Sequence, residues 1–130
     1  MKLNKQAKNQ IIYFLLAVLW GCLIFYLSSQ PDLKSGLPSA WDFILRKLAH
    51  LTVFAILAFL LAASFTKKSK PYLLFVILAA IMYAFTDELH QLSVPGRVGS
   101  IRDIFIDSFG VGLGIYFFER LHLFKIFRKR

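Results

Sequence analysis

The stretch TDELHQLSVPGRVGSIRDIFIDSFGVGLG, residues 86–114, puts four acids, one histidine and two arginines beside and within sequence that otherwise reads as membrane-spanning. An ionisable side chain at bilayer depth costs roughly 2.5–3.5 kcal/mol on insertion scales, so each one needs a partner or a task. The other apolar segments are the frame that holds this one. With 58% hydrophobic residues and a mean hydropathy of +0.62, the 130-residue chain is too apolar for a soluble domain of its size and too long for a single span. The composition predicts one small integral membrane domain over residues 1–130.

Working outward from that stretch, Pro95-Gly96 marks a turn, and a span from about 100 to 118 follows it, carrying Arg102, Asp103, Asp107 and Ser108. Before it, the apolar run after Pro71 is short, so its helix is expected to continue through Thr86 to Gln91, giving a span over about 72–90. Residues 48–65 form another span, interrupted near its start only by His50. Residues 28–47, with Pro31, Gly36, Pro38 and Trp41, read as a loop ending in a short interfacial helix from Ser39. The uncharged run 11–27 covers about 26 Å, near the ~30 Å hydrocarbon thickness, and reads as an uncleaved anchor behind a basic arm. The expectation is an all-α membrane protein, a bundle of four transmembrane helices. Cys22 is the only cysteine, which excludes an internal disulfide, and its apolar surroundings predict a buried small hydrophobe.

Charge orients these spans. With the N-terminus inside, the inner segments hold Lys2, Lys5, Lys8, Lys67, Lys68, Lys70, Arg120, Lys125, Arg128, Lys129 and Arg130. Only Lys34, Arg46, Lys47, Arg97 and Arg102 fall outside, so the positive-inside rule predicts both termini in the cytoplasm. The acids sort the other way, with Glu119 alone inside. The net charge of +9 is therefore read as anchoring to the anionic inner leaflet, with the lipid bilayer as the partner and not nucleic acid.

That orientation gathers the unusual polar residues on the outer side. Asp87, His90 and Gln91 stand at i, i+3 and i+4 on one helix face, and Glu88 points about 100° away from Asp87. Asp103, Asp107, Gly110 and Gly114 form a second stripe, in which small residues admit a neighbouring backbone below two carboxylates. Arg46 and Lys47 precede His50 by four and three residues and can share its face. The candidate catalytic residues are His50, Asp87, Glu88, Arg97 and Asp103, with His50 as general acid or base. The candidate substrate-binding residues are Lys47, Gln91, Arg97, Arg102 and Asp107, the arginines suiting a phosphate or carboxylate. A metal site from His50, Asp87, His90, Asp103 or Asp107 is conceivable on residue type. Local spacing supports only Asp87 and His90 as a same-face pair, so no metal is assigned and the cofactor is left open. No nucleophile is marked, since Ser28, Ser29, Ser93 and Ser100 read as loop or cap residues. A structural alternative is an ion-pair network in which Arg97 and Arg102 neutralise Asp87, Asp103 or Asp107.

The ordered set Ser28-Ser29-Gln30, Lys47-x-x-His50 with Phe54, Asp87-Glu88-x-x-Gln91, Pro95-x-Arg97 and Asp103-x-x-x-Asp107-x-x-Gly110-x-x-x-Gly114 resembles the VanZ-like membrane proteins, the teicoplanin-resistance protein family. The resemblance implies a small multi-pass protein of the bacterial cytoplasmic membrane. It also implies a role in resistance to teicoplanin-type glycopeptide antibiotics or a related cell-envelope function. It implies a phenotype and not a reaction. Whether the chain is an enzyme stays open between three readings: an outer-face protein that engages a lipid-linked envelope component or glycopeptide, an enzyme on a lipid-linked phosphate or cell-wall precursor, and a structural modulator of another membrane protein. Oligomeric state is not legible.

Overall fold

The computed structural model describes residues 4–31, 36, 38–65, 70–97 and 99–127, without the side chains of residue 70 and residues 122–127. Lys2, Lys34, Lys67, Lys68, Arg128, Lys129 and Arg130, which entered the charge argument, lie outside the described residues, as do the side chains of Lys70 and Lys125. Among the described residues the chain is all helix, with four elements: α1 (Lys5–Ser28), α2 (Ser39–Ala63), α3 (Lys70–Gln91) and α4 (Ile101–Phe127). Over Lys5–Ser28, Ser39–Ala63 and Pro71–Gln91 the first three helices are long and apolar enough to cross a membrane. Each would run for about 31–38 Å, against a hydrocarbon core of about 30 Å.

Two boundaries differ from expectation. The segment from Ser39 is no separate interfacial helix. It runs unbroken into the apolar part of α2, with Asp42 and Arg46 closing an i,i+4 ion pair of 2.7 Å in its first turns. With no proline or glycine after Pro38, nothing in this segment breaks the hydrogen-bond ladder. Likewise α4 continues past residue 118 through the basic tail to Phe127.

The tightest packing is between α2 and α4, and the sequence accounts for it. A Cβ at Gly110 would fall on the carbonyl oxygen of Leu51, and one at Gly114 on that of Ala55, so the two backbones approach as closely as glycine allows. Phe54, Leu57, Ala58, Ala80, Ala84 and Val111 fill the middle of the bundle with Ile24. Helix α1 is tied on by side-chain bonds to backbone, from Trp20 Nε1 to the Val53 carbonyl at 2.8 Å and from the Tyr83 hydroxyl to the Gly21 carbonyl at 2.7 Å. Tyr72 similarly donates to the Ala62 carbonyl near the other end.

Outside this core the helices expose large apolar side chains, among them Leu19, Tyr26, Phe75, Met82, Phe105 and Phe109, each more than half exposed. A continuous apolar surface of this kind belongs against lipid or a partner and not against water. Cys22 is part of that surface, contrary to the expectation that it is buried. Helix α1 buries only Ala17, Ile24 and Ser28, one narrow stripe at i, i+7 and i+11, and position 22 lies off it.

Candidate functional site

Four helix segments bring polar side chains to one end of the bundle: the C-terminal ends of α1 and α3, the N-terminal half of α2 and the N-terminal turns of α4. Ser28, Asp87, Glu88, Gln91, Asp103 and Asp107 are all buried there, Asp107 completely. Within an apolar bundle, that much enclosed charge requires compensation, and the hydrogen bonds show how much of it there is.

The two faces expected of α3 do diverge. Asp87 turns to α1, where its Oδ2 accepts from the Ser28 hydroxyl at 2.9 Å and from Gln91 Nε2 at 2.9 Å. Gln91 Nε2 also lies 3.4 Å from the Ser28 hydroxyl oxygen. His90, on the same face, stacks on Phe25 with 4.4 Å between ring centroids and hydrogen-bonds through Nε2 to the Ser29 hydroxyl at 2.9 Å. Glu88 points instead toward α2 and α4, and its Oε2 accepts the Ser100 backbone N–H at 2.7 Å just before α4 begins. Ser100 acts as the expected cap, its hydroxyl accepting the Arg102 backbone N–H at 3.2 Å.

The stripe on α4 meets α2 as its spacing predicts. Lys47 forms an ion pair with Asp103, its ammonium also 5.0 Å from the Phe43 ring centre. One turn further, His50 Nδ1 lies 3.2 Å from Asp107 Oδ1 and 3.9 Å from Glu88 Oε1. The histidine is thus oriented by Asp107, a residue assigned above to substrate, with Glu88 beside it. Asp87, a candidate catalytic residue, is engaged with Ser28 and Gln91 and not with His50.

The arginines depart from the ion-pair network envisaged above. Arg97 donates through Nε to the Gln30 carbonyl at 3.1 Å and through a terminal nitrogen to the Leu27 carbonyl at 2.8 Å. It therefore closes the C-terminal end of α1, where unpaired carbonyls and the helix dipole both favour a cation. Arg102 is exposed at the start of α4. Helical periodicity gave the azimuth of Asp103 and Asp107 but carries no information about a loop residue such as Arg97.

Between α1, α2 and α3 a cavity of about 130 Å³ opens, lined by Ile24, Leu27, Ala49, Val53 and Phe54 on its apolar side and by Ser28, Arg46, His50, Asp87 and Arg97 on its polar side. Of the proposed catalytic set, His50, Asp87 and Arg97 reach this cavity, while Glu88 and Asp103 lie behind it on the α4 side. Ser28 and Ser29, dismissed as loop or cap residues, prove to be the partners of Asp87 and His90. Their signal was the ordered Ser-Ser-Gln set, since no spacing argument links residues about sixty positions apart.

No curated protein and no solved structure matches this chain. The model of the family described as VanZ/LLP1 matches residues 12–125, which takes in α2 and α3, most of α1 and α4, and every residue of the polar cluster. With three helices apolar enough to span a bilayer, that match fits a membrane protein of VanZ type. The chain belongs to the VanZ/LLP1 family.

Proposed function

We propose that this protein spans the bacterial cytoplasmic membrane four times with both termini in the cytoplasm. Its polar cavity opens at the outer face and engages a lipid-linked envelope component, which lowers susceptibility to teicoplanin-type glycopeptides. Helix α4 is the fourth span. Its carboxylates Asp103 and Asp107 face α2 instead of lipid, which makes their depth tolerable. The observation that carries the proposal is the convergence of Arg46, His50, Asp87 and Arg97 on one cavity whose other wall is apolar. Such a cavity suits a molecule with an anionic head and a hydrocarbon tail.

The test is susceptibility to teicoplanin with His50→Ala, Asp87→Asn and Arg97→Lys, protein abundance being measured alongside. The proposal expects all three to lose the protective effect. Full protection by all three variants would make the cavity structural and remove the reading.

A second reading, an enzyme acting on a lipid-linked phosphate or cell-wall precursor, is favoured by the hydrogen bond between His50 and Asp107 at the edge of the cavity. That pairing fixes an imidazole as a general base requires. Mass spectrometry of envelope lipids and wall precursors with and without the protein separates the two. Catalysis demands a changed inventory, and binding alone leaves it unchanged.

A further inference from the structure

His50, Glu88 and Asp107 come from three different helices, and one ligand atom of each lies within 4.8 Å of the others. We propose that these three side chains hold a divalent cation, zinc or manganese by the character of the donor set. The site is independent of which envelope molecule the cavity engages.

Charge balance is the first support. Asp42 and Asp103 have cationic partners in Arg46 and Lys47, and the guanidinium of Arg97 is directed to backbone carbonyls. Among the described residues, His50 is the one basic group paired with Glu88 and Asp107, two carboxylates against one imidazole. Enclosed carboxylates with no compensating charge are costly in an apolar bundle, and a divalent cation balances both.

The second support is atomic. Among the described residues three enclosed carboxylate oxygens accept no hydrogen bond, Asp87 Oδ1 on the α1 side and Glu88 Oε1 and Asp107 Oδ2 in this cluster, where the two residues are 3% and 0% exposed. Buried polar atoms are nearly always satisfied, and here Glu88 Oε1 lies 3.9 Å from the imidazole nitrogen while Asp107 meets that nitrogen through Oδ1 and keeps Oδ2 unpartnered, donor capacity that a cation would use. Glu88 is also held for the purpose. The Ser100 N–H occupies its Oε2 and leaves Oε1 toward His50, the kind of outer contact that orients a metal-binding carboxylate. The separations from His50 Nδ1, 3.2 Å to Asp107 and 3.9 Å to Glu88, match those of ligands bound at about 2.0–2.2 Å around one ion. One imidazole with two carboxylates suits zinc or manganese better than calcium or magnesium, which favour all-oxygen shells, or copper(I), which favours sulfur.

The test uses tag-free full-length protein in detergent, stripped with a chelator and dialysed against zinc chloride or manganese chloride, with bound metal counted by mass spectrometry. About one ion per chain is expected, together with a higher melting temperature. Glu88→Gln and Asp107→Asn should weaken binding by at least about 10–100-fold, the range found even for groups that only support a ligand. His90→Ala, which removes a histidine outside the cluster, should leave binding unchanged. Stoichiometry far below one for both metals in the wild-type protein overturns the proposal. So does wild-type affinity in a helical, cooperatively melting His50→Ala/Asp107→Asn variant. Because neither readout involves antibiotic susceptibility, failure here leaves the cavity proposal standing, and loss of the cavity proposal leaves this one testable.

Discussion

Lys47 and Asp103 show how one residue's role depends on its neighbour. Asp103 is buried near the start of α4, and its cation arrives from α2, 56 positions earlier in the chain. Removing only the cation strands a carboxylate, and a broken buried pair costs about 3–5 kcal/mol, whereas replacing both partners by apolar groups is often neutral. Lys47→Met should therefore lower the melting temperature in detergent sharply, and Lys47→Met/Asp103→Leu should recover most of the loss. Equal losses in the single and double variants would mean that Asp103 finds its compensation elsewhere. The residue scale is also where the sequence said least. Arg97 closing α1, Ser28 holding Asp87, and Asp107 orienting His50 are contacts between segments far apart in the chain, and periodicity within one helix cannot choose among neighbours.

At the scale of the helix, faces were legible because geometry dictates them. The spacing of Asp87, Glu88 and His90 put Glu88 on a different face from the other two, and the structure sends it to α4 while they meet α1. The stripe Asp103, Asp107, Gly110, Gly114 met α2 along its whole length. Helix continuity was less legible: the start at Ser39 was marked by Pro38, but nothing in the sequence showed that this helix runs on into the apolar part of α2 or that α4 reaches Phe127. The glycine stripe makes a paired prediction. Gly110→Ala sets a methyl group against the Leu51 carbonyl and should destabilise the bundle by about 1–3 kcal/mol, the usual cost of overpacking. Gly112→Ala meets nothing within 4 Å and should be neutral or slightly stabilising, since alanine is the better helix former. Thermal melting of the two variants side by side checks it, and equal behaviour would mean that α2 and α4 do not approach along that stripe.

For the whole molecule, class and family were legible because apolar composition and the ordered polar set cover nearly the whole chain. What composition could not supply was the outward position of Cys22, since a protein bathed in lipid exposes what a soluble one hides. The proposed orientation follows from charge alone and can be read independently. In a Cys22→Ser background, a cysteine at Ser93 should react in intact cells with an impermeant thiol reagent, and one at Ser69, in the lysine-rich stretch between α2 and α3, should not. The reverse pattern would turn the cavity toward the cytoplasm.

The central claim is that α2 and α4 bring their polar side chains together at one end of the bundle, and cross-linking in native membranes tests it most directly. Lys47→Cys/Asp103→Cys in the Cys22→Ser background replaces both members of one ion pair and leaves two thiols in the protein. A bifunctional methanethiosulfonate about 5 Å long should join them within a single chain in high yield, as mass spectrometry of the linked peptides would show. Two thiols that react separately and stay unlinked would mean that the charged residues face different surroundings, and the site described above would not exist.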